Sequence, residues 1–244
     1  MPADPPDGFT VERRWFLQLP LLAAAGALAA QGTKLESLVE PLIPSAAGAG
    51  MLDFPAFVKA CGELAARAHR DAAPLEEAHV ARIIEAAVRL KRDTVPAGRL
   101  FPYGGFVDIG PLAKAPALSV ILWRLAPGTI FPPHDHDPVD VVTLCLEGGC
   151  RVRHFEIEGP SKPHESREAF NLRLTLDLQM TPGRCSSLTR HRDYIHTFQA
   201  GPQGVLALDI NTSLPGKGTF SFLDIQKEAL DAERRLYKAT WKTL

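Results

Sequence analysis

The sequence predicts a mainly β protein, an eight-stranded jelly-roll barrel with helices before it and one helix after it. From about residue 100, short apolar runs are separated by Pro and Gly every eight to twelve residues, as in sandwiches and small barrels. Apolar side chains before and after this region instead recur at helical spacing. With 244 residues and 45% hydrophobic content, the chain is long enough to bury one good core.

The first 30 residues resemble a twin-arginine export signal. Arg13-Arg14 precedes an apolar run, Leu19 to Ala30, that ends in the small-residue sequence Ala27-Leu28-Ala29. The run is shorter than the roughly 20 residues of a membrane span and contains Pro20. We therefore expect recognition by the twin-arginine machinery, a periplasmic or exported mature protein, and no stable membrane anchor after cleavage. An uncleaved N-terminal anchor is the alternative.

Residues 31–98 are predicted to form a helical region. The first helix carries apolar residues at helical spacing, and Asp71-Ala-Ala-Pro74 ends it. A second helix has one apolar and one charged stripe. The apolar positions are Phe54, Phe57, Val58, Cys61, Leu64, Ala65 and Ala68 in the first helix, and Val80, Ile83, Ile84, Ala87 and Val88 in the second.

Residues 99–225 are predicted to form the barrel. Its strands are expected at Leu118–Leu125, Val139–Leu146, Arg151–Ile157, Leu172–Leu178, Cys185–Leu188, Tyr194–Phe198, Val205–Ile210 and Thr219–Leu223. Residues 226–244 are assigned to the C-terminal helix, because Ala229, Leu230, Leu236 and Tyr237 in Gln226–Thr240 follow helical spacing.

Charge and cysteine content narrow the function. The formal net charge is −1 and there is no long Lys/Arg run, which argues against a nucleic-acid partner. No C-x-x-C pair occurs among Cys61, Cys145, Cys150 and Cys185, so zinc-ribbon and thioredoxin-like sites are excluded. Cys145 and Cys150 flank an expected turn at Gly148-Gly149. A disulfide across that hairpin is possible, although buried free thiols are favoured.

One segment indicates a metal site. Phe131-Pro-Pro-His134-Asp-His136 places two imidazoles two residues apart on a strand-like stretch. Successive side chains of an extended chain alternate between faces, so His134 and His136 point the same way. Both can reach one ion. The paired histidines resemble those of the cupin barrel, and this resemblance implies a third imidazole from a later strand. His196 is the candidate, whereas His191 lies five residues earlier and on the opposite face of a regular strand.

The spacing Gly128-x5-His134-x-His136 resembles the first motif of the cupin barrel, a double-stranded β-helix. Pro-Pro-His-Asp-His, together with His-Thr-Phe at His196, is similar more narrowly to the cysteamine dioxygenase and plant cysteine oxidase family, over roughly Tyr103 to Ile210. The resemblance implies ferrous iron, Fe(II), held by three histidines. It also implies oxidation of a small thiol, or of the N-terminal cysteine of a peptide, to a sulfinate with O2.

The same resemblance implies one catalytic residue, and strand alternation predicts a second. Asp209 matches an aspartate in the strand after the third ligand, where it orients the substrate or a ligand imidazole. Tyr194, two residues before His196, is expected on the same face as a hydrogen-bond donor to a bound oxygen or substrate. A solvent-exposed carboxylate and simple wall packing are the respective alternatives.

The chain departs from the general cupin motif at Asp140, which stands where that motif has a Glu ligand. If Asp140 coordinates, the site favours manganese or nickel and a metal-binding cupin without oxygenase activity, such as a ligand-binding or isomerase-like protein. If it does not, three histidines suit thiol oxidation. Arg99, Arg124 and Arg153 are candidate cations for a substrate carboxylate.

Overall fold

The computed structural model describes residues 50–71, 76–160, 162–216 and 220–242. The predicted export signal at residues 1–30 lies outside these ranges, so export stays a prediction. Most of the predicted helix break at 71–74 and Thr219 of the last predicted strand also lie outside them. The described chain begins with α1 (Phe54–Asp71), α2 (Glu76–Val88) and a 3-10 helix at Arg92–Thr94. Its strands are β1 (Phe101–Tyr103), β2 (Val107–Ala115), β3 (Leu118–Leu125), β4 (Ile130–Asp135), β5 (Val139–Glu158), β6 (Phe170–Met180), β7 (Cys185–Leu188), β8 (Ile195–Ser213), β9 (Phe222–Asp231) and β10 (Leu236–Lys242).

Two long strands close the barrel. β5 pairs antiparallel with β8 along most of its length, from Val139↔Ser213 to Phe155↔Ile195. The pairings then continue from β8 to β4, β9, β10, β6 and back to β5, which completes a ring. The first half of β5 lies between β7 and β8 and its second half between β6 and β8, so each long strand belongs to two sheets. This confirms the predicted mainly β fold, a double-stranded β-helix.

Glycines allow both long strands to pass from one sheet to the other. Gly148 in β5 has a φ of +66° and Gly204 in β8 a φ of +72°, both in the left-handed region that favours glycine. The register between the strands shifts on either side of Gly148. A β-bulge of this kind bends a strand and increases its local twist. The two strands therefore bend at the same level and keep pairing.

The expected hairpin at Gly148-Gly149 is wrong for the same reason. The bulge bends the chain without reversing it, so the two predicted strands on either side are parts of β5. Likewise, Tyr194–Phe198 and Val205–Ile210 fall almost entirely within β8. Cys145 and Cys150 therefore lie on one strand rather than across a turn. All four cysteines are free thiols.

The predicted C-terminal helix over Gln226–Thr240 is also wrong. β9 and β10 form an antiparallel pair there, and β10 hydrogen-bonds along the edge of β6. Leu230, counted as part of the apolar stripe, is 54% exposed. The side chains that pack inward, Tyr237, Ala239 and Trp241, recur every second residue. Pairing with β6 and this alternating burial outweigh the weak helical preference of the segment.

The two N-terminal helices are where helical spacing predicts them. Phe57 and Cys61 of α1 and Ile83 of α2 are buried in a cluster with Val142 and Leu208 on the outer face of the sheet. A second cluster fills the barrel interior around Trp123, Phe131, Val152, Phe198 and Phe222. Neither described helix is long and apolar enough to cross a membrane. The helices thus cover one face of the barrel while aromatic side chains fill it.

Replacing Gly148 with alanine should strongly destabilise the protein. A Cβ atom there would lie 2.2 Å from the backbone oxygen of Gly204, in addition to the unfavourable positive φ. We expect a loss of more than about 3 kcal/mol in the free energy of unfolding, measured by urea denaturation. Gly183→Ala is the matched control, because Gly183 has a φ of +89° but open space around it. Its cost should be about 1–2 kcal/mol. Equal losses in the two variants would contradict this account of the β5–β8 crossing.

Candidate metal centre

Adjacent strands bring the three predicted metal ligands together. β4 pairs antiparallel with β8, and His134 lies directly opposite His196. His136 directly follows the last residue of β4. The Nε2 atom of His196 lies 2.9 Å from that of His134 and 3.0 Å from that of His136. Among the described residues, these imidazoles form the one group of three or more His, Cys, Asp or Glu side chains whose ligand atoms all lie within 4.8 Å of one another.

The spacing of the nitrogens fits a single ion. Two nitrogens that each bind a metal at about 2.1 Å, at right angles, are about 3.0 Å apart. The two Nε2 distances of 2.9 and 3.0 Å agree with that value. A tetrahedral angle would separate the nitrogens by about 3.4 Å. Both distances therefore fit neighbouring positions around one octahedral ion, with His196 adjacent to each of the other two ligands.

The surroundings keep the imidazoles neutral. Burial lowers the pKa of His134 to about 4 and lowers those of His136 and His196 well below the ordinary value, with a further lowering from neighbouring imidazoles. A metal binds the neutral form of the ring, so this environment leaves the ligands ready to coordinate at neutral pH.

Aromatic rings form the walls of the site. Phe131 stacks on His134 with ring centroids 4.3 Å apart, and Phe198 lies 4.6 Å from His196. The Phe220 ring lies 5.1 Å from His134 and 5.4 Å from His136. This lining excludes water from most of the space around the nitrogens and lowers the local dielectric.

Three contacts hold the β4 segment in place. The Nδ1 atom of His134 lies 2.7 Å from the carbonyl oxygen of Pro132, an acceptor that fixes the ring with Nε2 facing its partners. Asp135 points away from the imidazoles and accepts a 2.6 Å hydrogen bond from the backbone N–H of Ser221. Its other carboxyl oxygen lies 2.9 Å from Nε2 of His164. The carboxylate thereby ties the metal-binding segment to two other parts of the chain.

Asp140 is not part of the site. It shares a face of β5 with Val142 and Leu144, which pack against the helices, whereas the histidines face the barrel interior. Asp140 is buried, and neither of its oxygens has a hydrogen-bond partner among the described residues. Burial and then the Glu76 carboxylate raise its pKa to about 7, against the opposing effect of Arg190. The strand's alternation therefore removes the suspected fourth ligand.

Asp209 lies inside the barrel but away from the imidazoles. It shares the inner face of β8 with Ala207, and its carboxylate accepts a 2.7 Å hydrogen bond from Thr143 Oγ1. Burial raises its pKa to about 6, and the bond from Thr143 opposes that rise. In the described structure no contact joins Asp209 to the three histidines. It is buried rather than solvent-exposed.

Tyr194 does not share the face of His196 as expected. β8 begins at Ile195, and Asp193 has a φ of +58°, so strand alternation does not extend back to Tyr194. Its hydroxyl oxygen accepts a 3.2 Å hydrogen bond from the backbone N–H of Ile157. Its ring packs against the cluster that contains Ile195, on the other side of the strand from His196. These contacts are structural.

Two further histidines, His191 and His154, differ in their burial. The side chain of His191 is 69% exposed and lies outside the barrel. His154, by contrast, is fully buried and lies opposite His196 in the β5–β8 register. His154 is two residues after Val152, a residue of the barrel interior, and therefore lies on the same face of the strand. This spacing is the sequence signal that would have placed it inside the barrel. A fourth imidazole therefore lies beside the metal group.

The arginines proposed to bind a substrate carboxylate lie elsewhere. Arg124 pairs with Asp108 at 2.7 Å on the surface. Arg99 stacks over Phe101, and Arg153 lies over Phe155. No described contact joins any of the three to the metal group.

No protein-family model matches this chain, and no curated protein matches it. Solved structures that resemble it include KdgF from Halomonas sp., at 18% identity over 47% of this chain and 86% of that one, with a TM-score of 0.35. An uncharacterised protein from Klebsiella pneumoniae with a double-stranded β-helix domain matches at 13% identity over 54% of this chain and 88% of that one, with a TM-score of 0.38. Pumpkin seed globulin matches at 13% identity and a TM-score of 0.40, over 53% of this chain and 32% of that one.

All three TM-scores lie below 0.5. The strand pairings, rather than these likenesses, therefore define the fold. The geometry of the imidazoles defines the candidate site.

Removing one imidazole should abolish metal binding. His196→Ala leaves two ligands, and we expect the bound Fe(II) after anaerobic reconstitution to fall from about one to below about 0.1 per chain. Elemental analysis of the desalted protein measures this. His191→Ala is the matched control because it removes an exposed imidazole. Equal iron in the two variants would show that the three histidines do not form the metal site.

Asp140→Asn should stabilise the protein at neutral and alkaline pH. The folded-state pKa of Asp140 is raised to about 7, so the protonated form of this side chain favours folding. Its contribution to wild-type stability is fully present below about pH 4 and is lost as the pH rises through 7. The Asn variant lacks this loss, so it should gain about 2–4 kcal/mol over the wild type at pH 8 and little at pH 4. Urea denaturation at both pH values measures the difference. Asp224→Asn, at an exposed position, should show no such pH-dependent gain. A gain of the same size at both pH values would refute the assignment.

Proposed function

We propose that this protein is an iron(II)-dependent thiol dioxygenase. The observation that carries the proposal is the donor set: three imidazoles, two buried and one half-buried, within 4.8 Å of one another, with no Asp or Glu in the same group among the described residues. The resemblance of the two histidine motifs to the cysteamine dioxygenase and plant cysteine oxidase family adds the reaction type. The small thiol or peptide N-terminal cysteine, and the sulfinate product, are parts of this proposal.

Three protein ligands on an octahedral ion leave up to three positions for reactants. Ferrous iron, when bound, would act as a Lewis acid toward the thiol and as an electron source for O2, so that both oxygen atoms add to sulfur. The side chains hold the ion and the reactants in position. Because His134, His136 and His196 are neutral, the negative charge near the ion has to come from the substrate thiolate.

The walls support this chemistry. Phe131, Phe198 and Phe220 enclose the imidazoles and limit the access of water. A low dielectric strengthens the attraction between a thiolate and a cation. A nonpolar lining also suits the short carbon chain of a small thiol.

One feature bears on the competing function, a metal-binding cupin without oxygenase activity. That function depends on coordination by Asp140, and Asp140 faces the helices instead.

The choice of thiol is a separate question. The arginines predicted to bind a substrate carboxylate lie away from the site. Substrates with and without a carboxylate therefore belong in one test panel.

Oxygen uptake by the iron-reconstituted full-length protein tests the proposal. The panel is cysteine, cysteamine, 3-mercaptopropionate and a Cys-initiated peptide, with mass spectrometry of the product. We expect uptake of one O2 per sulfinate formed with at least one of these thiols. His196→Ala should lower the rate by at least about 1,000-fold because the ion is lost, and His191→Ala should retain full activity.

A wild-type protein that holds one iron per chain but consumes no oxygen with any of these thiols would contradict the dioxygenase. It would favour the non-oxygenase metal protein.

A further inference from the structure

The fourth buried histidine lies next to the metal group. His154 of β5 is directly opposite His196 of β8, and the next inward pair along the two strands is Val152 and Phe198, both in the barrel interior. Cross-strand partners in an antiparallel pair project from the same face. The two imidazole centroids are 6.0 Å apart. His154 therefore occupies the wall beside one metal ligand.

The polar atoms at this place lack protein partners. His154 is fully buried, and both of its ring nitrogens are without a hydrogen bond among the described residues. The same is true of Nδ1 of His196, whereas Nδ1 of His134 has the Pro132 carbonyl. Burying an unpartnered imidazole destabilises a fold, and a phenyl ring of similar shape would avoid that penalty. Packing alone does not explain a histidine here.

A fixed anion lies beside His154. Oδ2 of Asp193 is 4.0 Å from His154 Nδ1, within ion-pair range but too long for a hydrogen bond. Burial alone would raise the pKa of Asp193, but His154, Thr175 and Arg192 outweigh it and hold that pKa at about 2. Arg192 bonds the same carboxylate oxygen, and the backbone N–H of Asp193 donates to Glu156. The carboxylate is thus charged and held in place.

The charges give the two rings complementary roles. The Asp193 carboxylate favours the tautomer of His154 with its proton on Nδ1, which leaves Nε2 as an acceptor. Coordination through Nε2 of His196 requires the proton of that ring to be on Nδ1, which makes Nδ1 a donor. His134 and His196, whose nitrogens are 2.9 Å apart, have centroids 4.5 Å apart. The centroids of His154 and His196 are 6.0 Å apart, so these two rings are farther apart than the rings of that pair. A small ring movement or one bridging water would connect their nitrogens.

We infer that His154, held by Asp193, is a positioning residue for the metal ligand His196. Its acceptor nitrogen orients the coordinating ring and raises its basicity, as carboxylates and carbonyls do for ligand histidines elsewhere. The inference depends on the metal site of the proposed function but not on thiol oxidation. The chain Asp193–His154–His196 supplies for the third ligand what Pro132 supplies for His134.

Cobalt(II) binding to the full-length protein tests this role. His154→Phe keeps the ring and removes both nitrogens, and we expect its cobalt Kd to rise about 10- to 100-fold. His154→Gln, which keeps a donor and an acceptor, should restore part of the affinity. Asp193→Asn should weaken binding in the same direction, and His191→Phe should match the wild type. Titration monitored by the visible absorption of cobalt gives each Kd.

Two further readouts separate positioning from a structural role. The metal-free His154→Phe variant should unfold at the same or a higher urea concentration than the wild type, because an unpartnered polar group is removed. In the cobalt form, the exchangeable Nδ1–H proton of His196 should give a paramagnetically shifted NMR signal in the wild type. That signal should broaden or vanish in His154→Phe.

A cobalt Kd within twofold of the wild type, or an unchanged Nδ1–H signal in a less stable His154→Phe protein, overturns the inference, as does a wild-type protein that binds no cobalt. A wild-type protein that binds cobalt but oxidises no thiol overturns the proposed reaction and leaves the inference standing.

Discussion

The pairing of β5 with β8 is the constraint on which the barrel and the site both depend. These strands hydrogen-bond from Val139 to Phe155 and contribute to both sheets. Because side chains alternate with a period of two, a slip of one residue would turn His196 out of the barrel and a hydrophobic neighbour into it. The bends at Gly148 and Gly204 have to coincide for the register to survive the passage between sheets. The position of the third metal ligand is therefore fixed by backbone geometry far from the ion.

The same alternation sorts the acidic side chains. Asp140 and Asp209 are both buried strand residues, but one faces the helices and the other the barrel interior. Neither belongs to the imidazole group. The charged Asp193 lies 4.0 Å from His154 and is not part of that group either. The three imidazoles therefore form a neutral donor set without a carboxylate ligand.

Local sequence patterns were sufficient for much of the fold and for the ligands. Helical spacing locates α1 and α2, and His-x-His with His196 brings together the group that the structure assembles. These patterns could not predict that β5 continues through its glycines, because a glycine pair indicates a turn whether the chain reverses or only bends. The last two strands were missed because pairing with the distant β6 edge, which no local window contains, decides their conformation.

Side-chain roles were harder to foresee than side-chain clusters. Tyr194 was assigned by counting two residues back from His196, and the count fails where the strand has not yet begun. His154 was overlooked because its partner is 42 residues away in sequence, as the pairing His154↔His196 shows. Contacts across strands need the register, and the register depends on bulges that composition does not reveal.

The placement of His136 has a consequence for how an ion enters. His134 and His196 are held on paired strands and are buried, while His136 follows the end of β4 and is half-buried. Contact between solvent and the three imidazoles is therefore concentrated on His136, and an ion arriving from solvent would reach that ring before the buried pair.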